Sequence, residues 1–366
     1  MLRRLFTDDV LVPILAVITA MLIGMVLIAL TGNNPVTAYS ALIRGAIGSP
    51  TGIGRTLIQA TPIILTGLSV AIAYRAGLFN IGAAGQLIMG LLASGWVAIH
   101  FGGMPQLLHV PLELVVAAAF GALWGAIAGF LKAARGAHEV ITTIMLNYIA
   151  IRLGEYLLSQ GGLLQEKGNP NPQSPPFTES SGFPVLWSPD PFTAVHMGLF
   201  LALGMALVTW FLIDRTSLGY RIRAVGLNPD AAEYGGISVT RITVVAMVLA
   251  GAFAGLAGAS IGVGDPPPLL AKSDFPAIQA GFAGIAVALL GRNTALGVVL
   301  AGLLFGGLEA GAIEAQFSGG LPSGVATKLI QVIQGLIIFF VGADAMFRRH
   351  TSRITRLRTT TAEAPA

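Results

Sequence analysis

Polar side chains inside long apolar stretches are the residues of this sequence best placed to do chemistry. Asn147, Gln279 and Glu309 each lie within such a stretch, and Asn80 and Gln86 flank the start of another. Amides and carboxylates in lipid need a partner, and they often mark the path of a solute or ion. We therefore predict that these five residues contact a transported substrate. A structural hydrogen bond between helices is the alternative for Asn147 and Glu309.

Two charged residues in another apolar stretch are best explained by contact with each other. Arg152 and Glu155 are three residues apart, a spacing that brings side chains together on one helix face. The pair favours an ion pair within one helix over contact with a substrate.

Patterns typical of catalysis are missing from the sequence. His138-Glu139 is followed by Val-Ile-Thr, not by the spacing of a zinc-protease helix, and the sequence contains no cysteine. The pattern G-x-x-x-x-G-K-[ST] of an ATP-binding loop does not occur either. We predict no catalytic residue, no metal ligand and no cofactor in this chain.

The most polar internal segment is "LGYRIRAVGLNPDAAEYGGISVTR", residues 218–241. Leu218, Ile222 and Val225 continue a helical stripe from the preceding apolar stretch, and Gly226 is a suitable stop. Asn228 is a good N-cap, Pro229 suits the first helical position and Asp230 complements the helix dipole. Gly235-Gly236 would end this short helix, Pro229–Tyr234. A capped surface helix favours a docking site, and an ordinary loop is the alternative.

Composition places these residues in a membrane. Hydrophobic residues make up 54% and charged residues 10% of the 366 residues, whereas soluble domains carry about 25% charge. Mean hydropathy is +0.78. A membrane-spanning helix needs about 20 apolar residues, and ten segments qualify: 10–31, 56–74, 81–100, 110–132, 138–158, 193–213, 242–262, 276–291, 294–316 and 324–345. The break at 291–293 leaves open a hairpin or a re-entrant pair. The sequence therefore predicts an all-α integral membrane protein.

The distribution of basic residues predicts the orientation of these spans. With both termini in the cytoplasm, fifteen of the 21 Lys and Arg residues fall on the cytoplasmic side, as the positive-inside rule requires. Residues 1–346 then form a single membrane domain, with 32–55 and 161–192 outside and 214–241 inside. An interfacial helix is expected in 32–55, and residues 347–366 form a basic, partly disordered cytoplasmic tail.

Glycines four residues apart predict close helix packing. They occur at 121, 125 and 129 and in the pairs 251/255, 258/262, 302/306 and 307/311. Small residues at this spacing let helix backbones touch, so we expect a tight bundle within this chain.

Three motifs in this order resemble the permease subunits of bacterial ABC importers: "GLFNIGAAGQ", "HEVITTIMLNYIA" and "RAVGLNPDAAEYGGI". The resemblance covers about residues 10–345 and extends to a family that includes ribose-type sugar and branched-chain amino acid permeases. With the long Pro-rich segment after residue 160, the chain is most similar to the nucleoside branch.

The resemblance implies a mechanism and a set of partners. The helix at 228–235 would be the coupling helix that docks on a separate ATPase, where ATP and magnesium are bound. Its candidate contacts are Arg221, Arg223, Asn228, Pro229, Asp230, Ala231, Glu233, Tyr234 and Gly235. A second permease subunit, identical or different, and an extracytoplasmic substrate-binding lipoprotein would complete the complex in the lipid of the bacterial cytoplasmic membrane, with no nucleic-acid polymer involved.

Three other functions stay open on the sequence alone. The first is a permease for a ribose-like sugar, and the second is a secondary transporter driven by an ion gradient. Glu309 and Glu314 are compatible with a secondary transporter, but that function leaves the capped helix unexplained. The third is a membrane-embedded enzyme, for which the sequence offers no nucleophile or metal-binding pattern.

Overall fold

The computed structural model describes residues 2–191, 193–262, 264, 270, 271, 278–317 and 325–342. Within them the chain is mostly helical, as its composition predicts. The thirteen described helices are α1 Leu2–Leu30, α2 Pro35–Ile47, α3 Pro50–Arg75, α4 Ala83–His100, α5 Gln106–Arg135, α6 Glu139–Leu158, α7 Gly198–Arg215, α8 Ser217–Leu227, α9 Pro229–Tyr234, α10 Val239–Gly262, α11 Ile278–Leu290, α12 Ala295–Phe317 and α13 Val325–Gly342.

Each of the ten predicted spans overlaps one helix of the fold. In the described part of the chain, seven helices are long and apolar enough to cross a membrane: α1, α3, α4, α5, α7, α10 and α12. The multi-pass helical class is therefore confirmed, while ten crossings and cytoplasmic termini stay predictions. The span expected from residue 193 begins later, because Thr193–His196 form a strand and α7 starts at Gly198.

The two segments between predicted spans are ordered in different ways. Segment 32–55 contains α2, where Tyr39 and Leu42 are buried and Ile43 is 56% exposed. Segment 161–192 leads into a hairpin in which β1 (Val185–Asp190) pairs antiparallel with β2 (Thr193–His196). Sequence reasoning identified the helix but missed the hairpin.

The chain divides into two compact units. Of the described residues, the first contains 2–42, 312–317 and 325–342. In it α1 packs on α13, and Tyr39 Oη donates a 2.7 Å hydrogen bond to the carbonyl of Met21. Gln316 Nε2 donates to Thr327 Oγ1 at 2.7 Å. The tail predicted at 347–366 lies outside the described residues.

The second unit, residues 43–311, is organised around α10, which packs on α3, α4 and α5. Glycines make these crossings possible. A Cβ on Gly121 or on Gly251 would clash with the carbonyl oxygen of the other glycine, and a Cβ on Gly258 would clash with the backbone of Leu87. The predicted packing of small residues within the chain is thus confirmed.

Residues 291–294 form the turn that joins α11 to α12. Arg292 and Asn293 both adopt φ 54°, a left-handed conformation that few non-glycine residues take. The Thr294 side chain accepts a 3.2 Å hydrogen bond from the Gly297 amide and so caps α12.

Candidate functional sites

Helix α9 is capped and lies largely exposed on the surface of the second unit. Asn228 Oδ1 accepts a 3.0 Å hydrogen bond from the Ala231 amide at its N-terminus, as predicted. Gly236, at φ 80°, terminates it. Ala232 is the one buried residue of the helix and packs beside Ile222 and Val225. The rest of the helix is exposed, with Tyr234 97% exposed.

The helix before it departs from the prediction. We expected α7 to continue through residues 218–225, but Thr216 is extended (φ −110°, ψ 159°) and separates α7 from α8. The Thr216 hydroxyl accepts a hydrogen bond from the Gly219 amide at 3.0 Å. Thr216, which the sequence pattern places inside a helix, is therefore the N-cap of α8. Ile222 and Val225 still form the buried stripe of α8, and Leu218 packs against the same cluster.

Gly226 does not stop α8, which continues to Leu227. Its role is close packing against the turn after α3, because a Cβ on Gly226 would clash with the carbonyl oxygen of Arg75 and lie 2.8 Å from the Gly77 amide nitrogen. The segment that carries α9 is therefore in direct backbone contact with the end of α3.

A groove of about 740 Å³ lies between α8, α9 and the start of α10. Arg221, Arg223, Asn228 and Ala231 line it together with Gly235 and other residues of the segment. Arg221 is exposed, whereas Arg223 turns back to α7, where its guanidinium donates to the carbonyl of Ile213 and lies 3.6 Å from Asp214 Oδ1. Of these two arginines, Arg223 is thus already engaged within the chain.

Asn80, Gln86 and Asn147 come together at the start of α4, where all three are at least 96% buried. Asn80 and Gln86 exchange two amide hydrogen bonds, of 2.9 and 3.2 Å. Asn147 accepts from the Gly85 amide at 2.7 Å and donates to the carbonyl of Ile81 at 2.9 Å. Their polar groups hold the α3–α4 turn against α6, an arrangement that favours the structural role.

Gln279 and Glu309 lie elsewhere, on the wall of a cavity of about 250 Å³ in the second unit. Three polar residues from other elements complete that wall: Gln59 of α3, Ser260 of α10 and His196 at the end of β2. The sequence gave no reason to place His196 here, because its neighbours in the chain form a hairpin that periodicity did not reveal. The five candidate residues thus divide into a packed amide cluster and a polar cavity.

His196 is held in a defined orientation. Its ring stacks on Phe183 with centroids 5.3 Å apart, and Nδ1 accepts a 3.1 Å hydrogen bond from the Gly198 amide. Burial lowers the pKa of this imidazole from 6.5 to about 4. The ring is therefore neutral near pH 7, with its proton on Nε2.

A buried polar cluster that the sequence did not reveal joins α5 to the segment after α6. His109 and Glu113 are fully buried, with Nε2 and Oε1 3.4 Å apart. Ser181 Oγ donates to Glu113 Oε1 at 2.6 Å, and Ser180 Oγ lies 2.8 Å from His109 Nδ1. The spacing of His109 and Glu113, one helical turn, was the available signal.

The predicted Arg152–Glu155 ion pair is present, with Nη1 and Oε2 2.6 Å apart, on one face of α6. Among the described residues, no three His, Asp or Glu side chains are grouped so that they could hold a metal ion.

The fold and these sites define a multi-pass helical membrane protein with an exposed, capped helix between two spans. The family described as "Branched-chain amino acid transport system / permease component" matches residues 52–342, so the chain belongs to that family. It is a permease subunit of an ABC transporter, as its resemblance to such subunits predicted.

Relatives from three transport systems show how far the similarity extends. The guanosine ABC transporter permease protein NupP of Bacillus subtilis is 41% identical over 95% of this chain and 97% of its own length. The nucleoside ABC transporter permease protein NupB of Lactococcus lactis is 38% identical over 92% and 91%. The glucose ABC transporter permease protein TsgB13 of Haloferax volcanii is 35% identical over 92% and 88%.

A second guanosine permease of Bacillus subtilis, NupQ, is 29% identical over 69% of this chain and 78% of its own length. No solved structure matches the chain.

Proposed function

We propose that this chain is the membrane permease of a nucleoside importer in the bacterial cytoplasmic membrane. The observation that carries the proposal is identity of 41% and 38%, along more than nine tenths of the chain, to permeases named for guanosine and nucleoside transport. The chain would move the solute by alternating access, opening its pathway to one side of the membrane at a time.

Coupling to ATP would pass through α9. The helix is capped at both ends and anchored by Ala232, and it exposes Asp230, Glu233 and Tyr234. Because this helix is already folded, a movement of the ATPase bound to it would pass directly to α8. Because the sequence contains no ATP-binding loop, we assign ATP and magnesium to a separate ATPase chain.

The permease would work with two further proteins besides the ATPase. Two guanosine permeases of one organism both resemble this chain, which supports pairing with a different but homologous second permease. A homodimer is the alternative. We also propose an extracytoplasmic lipoprotein that delivers the nucleoside to the pair.

The coupling assignment is tested by Glu233→Arg in the assembled transporter, reconstituted in proteoliposomes with its ATPase and binding protein. Uptake of labelled guanosine and stimulation of ATP hydrolysis should fall together, because a reversed charge opposes docking. Glu179→Arg is the matched control, since Glu179 is also exposed but lies in the segment predicted to be outside. Unchanged uptake and ATPase stimulation in Glu233→Arg would remove α9 from the coupling pathway.

A glycine inserted after Gly235 tests the rigidity of the same element. It lengthens the connection from α9 to α10 without changing any side chain, so we expect ATP hydrolysis that no longer drives uptake. Equal coupling in the insertion variant would show that the geometry of this connection is unimportant.

A sugar is the second candidate substrate, because the glucose permease of Haloferax volcanii is 35% identical. Competition separates the two substrates: unlabelled nucleosides should block uptake of labelled guanosine, and ribose or glucose in equal excess should not. An ion-coupled mechanism is tested in the same vesicles, where uptake should require ATP and survive ionophores.

A further inference from the structure

Helix α6 has one buried face and one exposed face along its whole length. The buried face, which includes Asn147, packs on α4 and α5 of the second unit. The exposed side chains recur at intervals that place them on one side of a helix: Ile141, Met145, Tyr148, Ile149, Arg152 and Tyr156. These six residues, the α6 stripe, are open to the surroundings in the part of the chain that the structure describes.

Two contacts with α5 fix the depth of this stripe. Lys132 Nζ of α5 lies 2.8 Å from Glu139 Oε2, and Trp124 Nε1 of α5 donates a 3.2 Å hydrogen bond to the carbonyl of Leu146. From the first contact to the second the residue number falls by eight in α5 and rises by seven in α6, so the helices lie side by side and antiparallel. Arg152 is six residues beyond Leu146, or about 9 Å along the axis, which brings it level with the middle of α5.

At that level α5 has the composition of a helix in hydrocarbon. Its sequence from residue 114 to 125 is "LVVAAAFGALWG", without a charged residue. Val115 and Leu123 are 65% and 60% exposed, as expected of side chains that meet lipid. The α6 stripe therefore runs beside α5 at a depth where the surroundings of the described chain are apolar.

Arg152 conflicts with such surroundings. Its side chain is 79% exposed, although it pairs with Glu155 at 2.6 Å. One ion pair leaves further N–H groups of a guanidinium, which has five, available as donors. Charged residues at membrane depth are costly and almost always face other protein or a water-filled space. The exposed side of α6 therefore requires a cover that lipid does not provide.

The other members of the stripe fit a protein contact. Tyr148 and Tyr156 lie one turn before and after Arg152 and are 60% and 69% exposed. Tyrosine, methionine and arginine are the residue types enriched in protein interfaces. The exposed side chains of α7, in contrast, include Phe200, Leu207 and Phe211, which suit lipid. The two helices thus present surfaces of different character.

The charges of the stripe favour a particular kind of partner. A surface that carries a cation and an anion three residues apart is complementary to a copy of itself turned about a two-fold axis, because each charge can then face its opposite. A homologous permease presents the equivalent helix. Two guanosine permeases of one organism both resemble this chain, which supports a partner of this class.

We propose that the α6 stripe is the surface on which the second permease subunit packs, with Arg152 and Glu155 inside the contact. The inference rests on the proposed function, which includes a second permease, and it assigns that subunit a place on this chain. The Arg152–Glu155 pair then has two roles, as an ion pair within α6 and as the polar centre of the contact between subunits.

Photo-cross-linking in the assembled transporter tests the location. Benzoylphenylalanine replaces Tyr148 in one variant and Phe211, an aromatic residue of α7 that is 57% exposed, in the matched control. After irradiation, mass spectrometry identifies the attached peptide or lipid. We expect the probe at position 148 to attach to the second permease and the probe at position 211 to attach to lipid.

The outcomes separate this inference from the proposed function. Attachment of lipid at position 148, or equal attachment of the second permease at both positions, would overturn the contact surface. Either result in a complex that holds two permeases and takes up guanosine leaves the proposed function standing. A complex with a single permease, or one that takes up no nucleoside, would contradict the proposed function itself.

Association of the purified subunits gives an independent measurement. Arg152→Leu makes the stripe more apolar, so a lipid-facing stripe would tolerate it. In a contact between subunits it should weaken association of the two permeases in detergent by about tenfold, the scale of one lost hydrogen bond from a charged group. Arg152→Lys, which keeps the charge, should lose less, and Arg135→Leu, at the exposed end of α5, should associate like the wild type. Wild-type association of Arg152→Leu would contradict the contact.

Discussion

Arg75 Nε donates a 3.0 Å hydrogen bond to the carbonyl oxygen of Asn293, 218 residues later in the sequence. The bond joins the last residue of α3 to the turn between α11 and α12. These three helices also carry Gln59, Gln279 and Glu309 of the cavity. The backbone of the same α3 terminus touches Gly226 of α8, so one short region contacts both the helices of the cavity and the segment that carries α9.

Removing this contact should weaken coupling. In Arg75→Gln the charged donor is lost, and a hydrogen bond from a charged group contributes about 1.5–3 kcal/mol. We expect less guanosine imported for each ATP hydrolysed, because α3 and the α11–α12 turn no longer move together. Arg135→Gln, at the exposed end of α5, is the control. Equal transport stoichiometry in Arg75→Gln and the wild type would show that the bond does not contribute to coupling.

The parts that sequence reasoning predicted correctly are those that local chemistry determines. Asn228, Pro229 and the Gly235-Gly236 pair specify α9 through its own caps. Likewise, apolar length specifies the long helices, and the spacing of Arg152 and Glu155 specifies their ion pair.

The parts that were missed depend on residues distant in the sequence. In the sequence Gly226 resembles a helix stop. In the fold it is the residue on which the turn at Gly77 packs. His196 enters the cavity because β2 pairs with β1 and its ring stacks on Phe183. The five substrate candidates divide into two groups for the same reason, because composition does not show which buried amides satisfy one another.

Gly226→Ala tests the contact between α8 and the end of α3. Its Cβ would overlap the carbonyl of Arg75, and overpacking of this kind costs typically about 1–3 kcal/mol. The thermal midpoint of the purified transporter should therefore fall. Gly235→Ala is the matched control, since its Cβ would meet only ordinary contacts at 3.4 Å. Similar midpoints for the two variants would contradict a tight contact at Gly226.

Asn147→Ala separates structural amides from solute-binding ones. The change leaves the Gly85 amide and the Ile81 carbonyl without their partner, and an unsatisfied buried group costs about 1–3 kcal/mol. We expect a lower thermal midpoint with an unchanged KM for guanosine in the protein that remains folded. Gln279→Ala should show the opposite, a raised KM with an unchanged midpoint. A KM effect in Asn147→Ala alone would place substrate at the amide cluster instead.

Ser181→Ala should loosen the segment after α6. The substitution removes the 2.6 Å hydrogen bond to the fully buried side chain of Glu113, and a buried group left without its partner costs about 1–3 kcal/mol. Proteolysis between residues 161 and 184 should become faster in the intact transporter. Ser188→Ala, which loses only an exposed bond to the Asp190 carbonyl, should digest like the wild type. Identical digestion of both variants would show that the cluster does not anchor the segment.

The buried imidazole of His196 should make the protein less stable in acid. Its pKa is lowered to about 4 in the folded chain, against 6.5 when unfolded, so between these values the unfolded chain binds more protons. Stability from this group is therefore complete above about pH 6.5 and is lost as the pH falls toward 4. At pH 5 the loss amounts to about 2 kcal/mol relative to pH 8.

His196→Gln identifies the group responsible, because glutamine keeps a polar side chain but does not titrate. Thermal midpoints of wild type and variant, measured in one detergent from pH 8 to pH 5, should show a steeper fall for the wild type. Because titration of the other groups is common to both proteins, the difference between the two curves isolates His196. Parallel curves would mean that the imidazole is protonated in the folded protein at pH 5, which is incompatible with a pKa near 4.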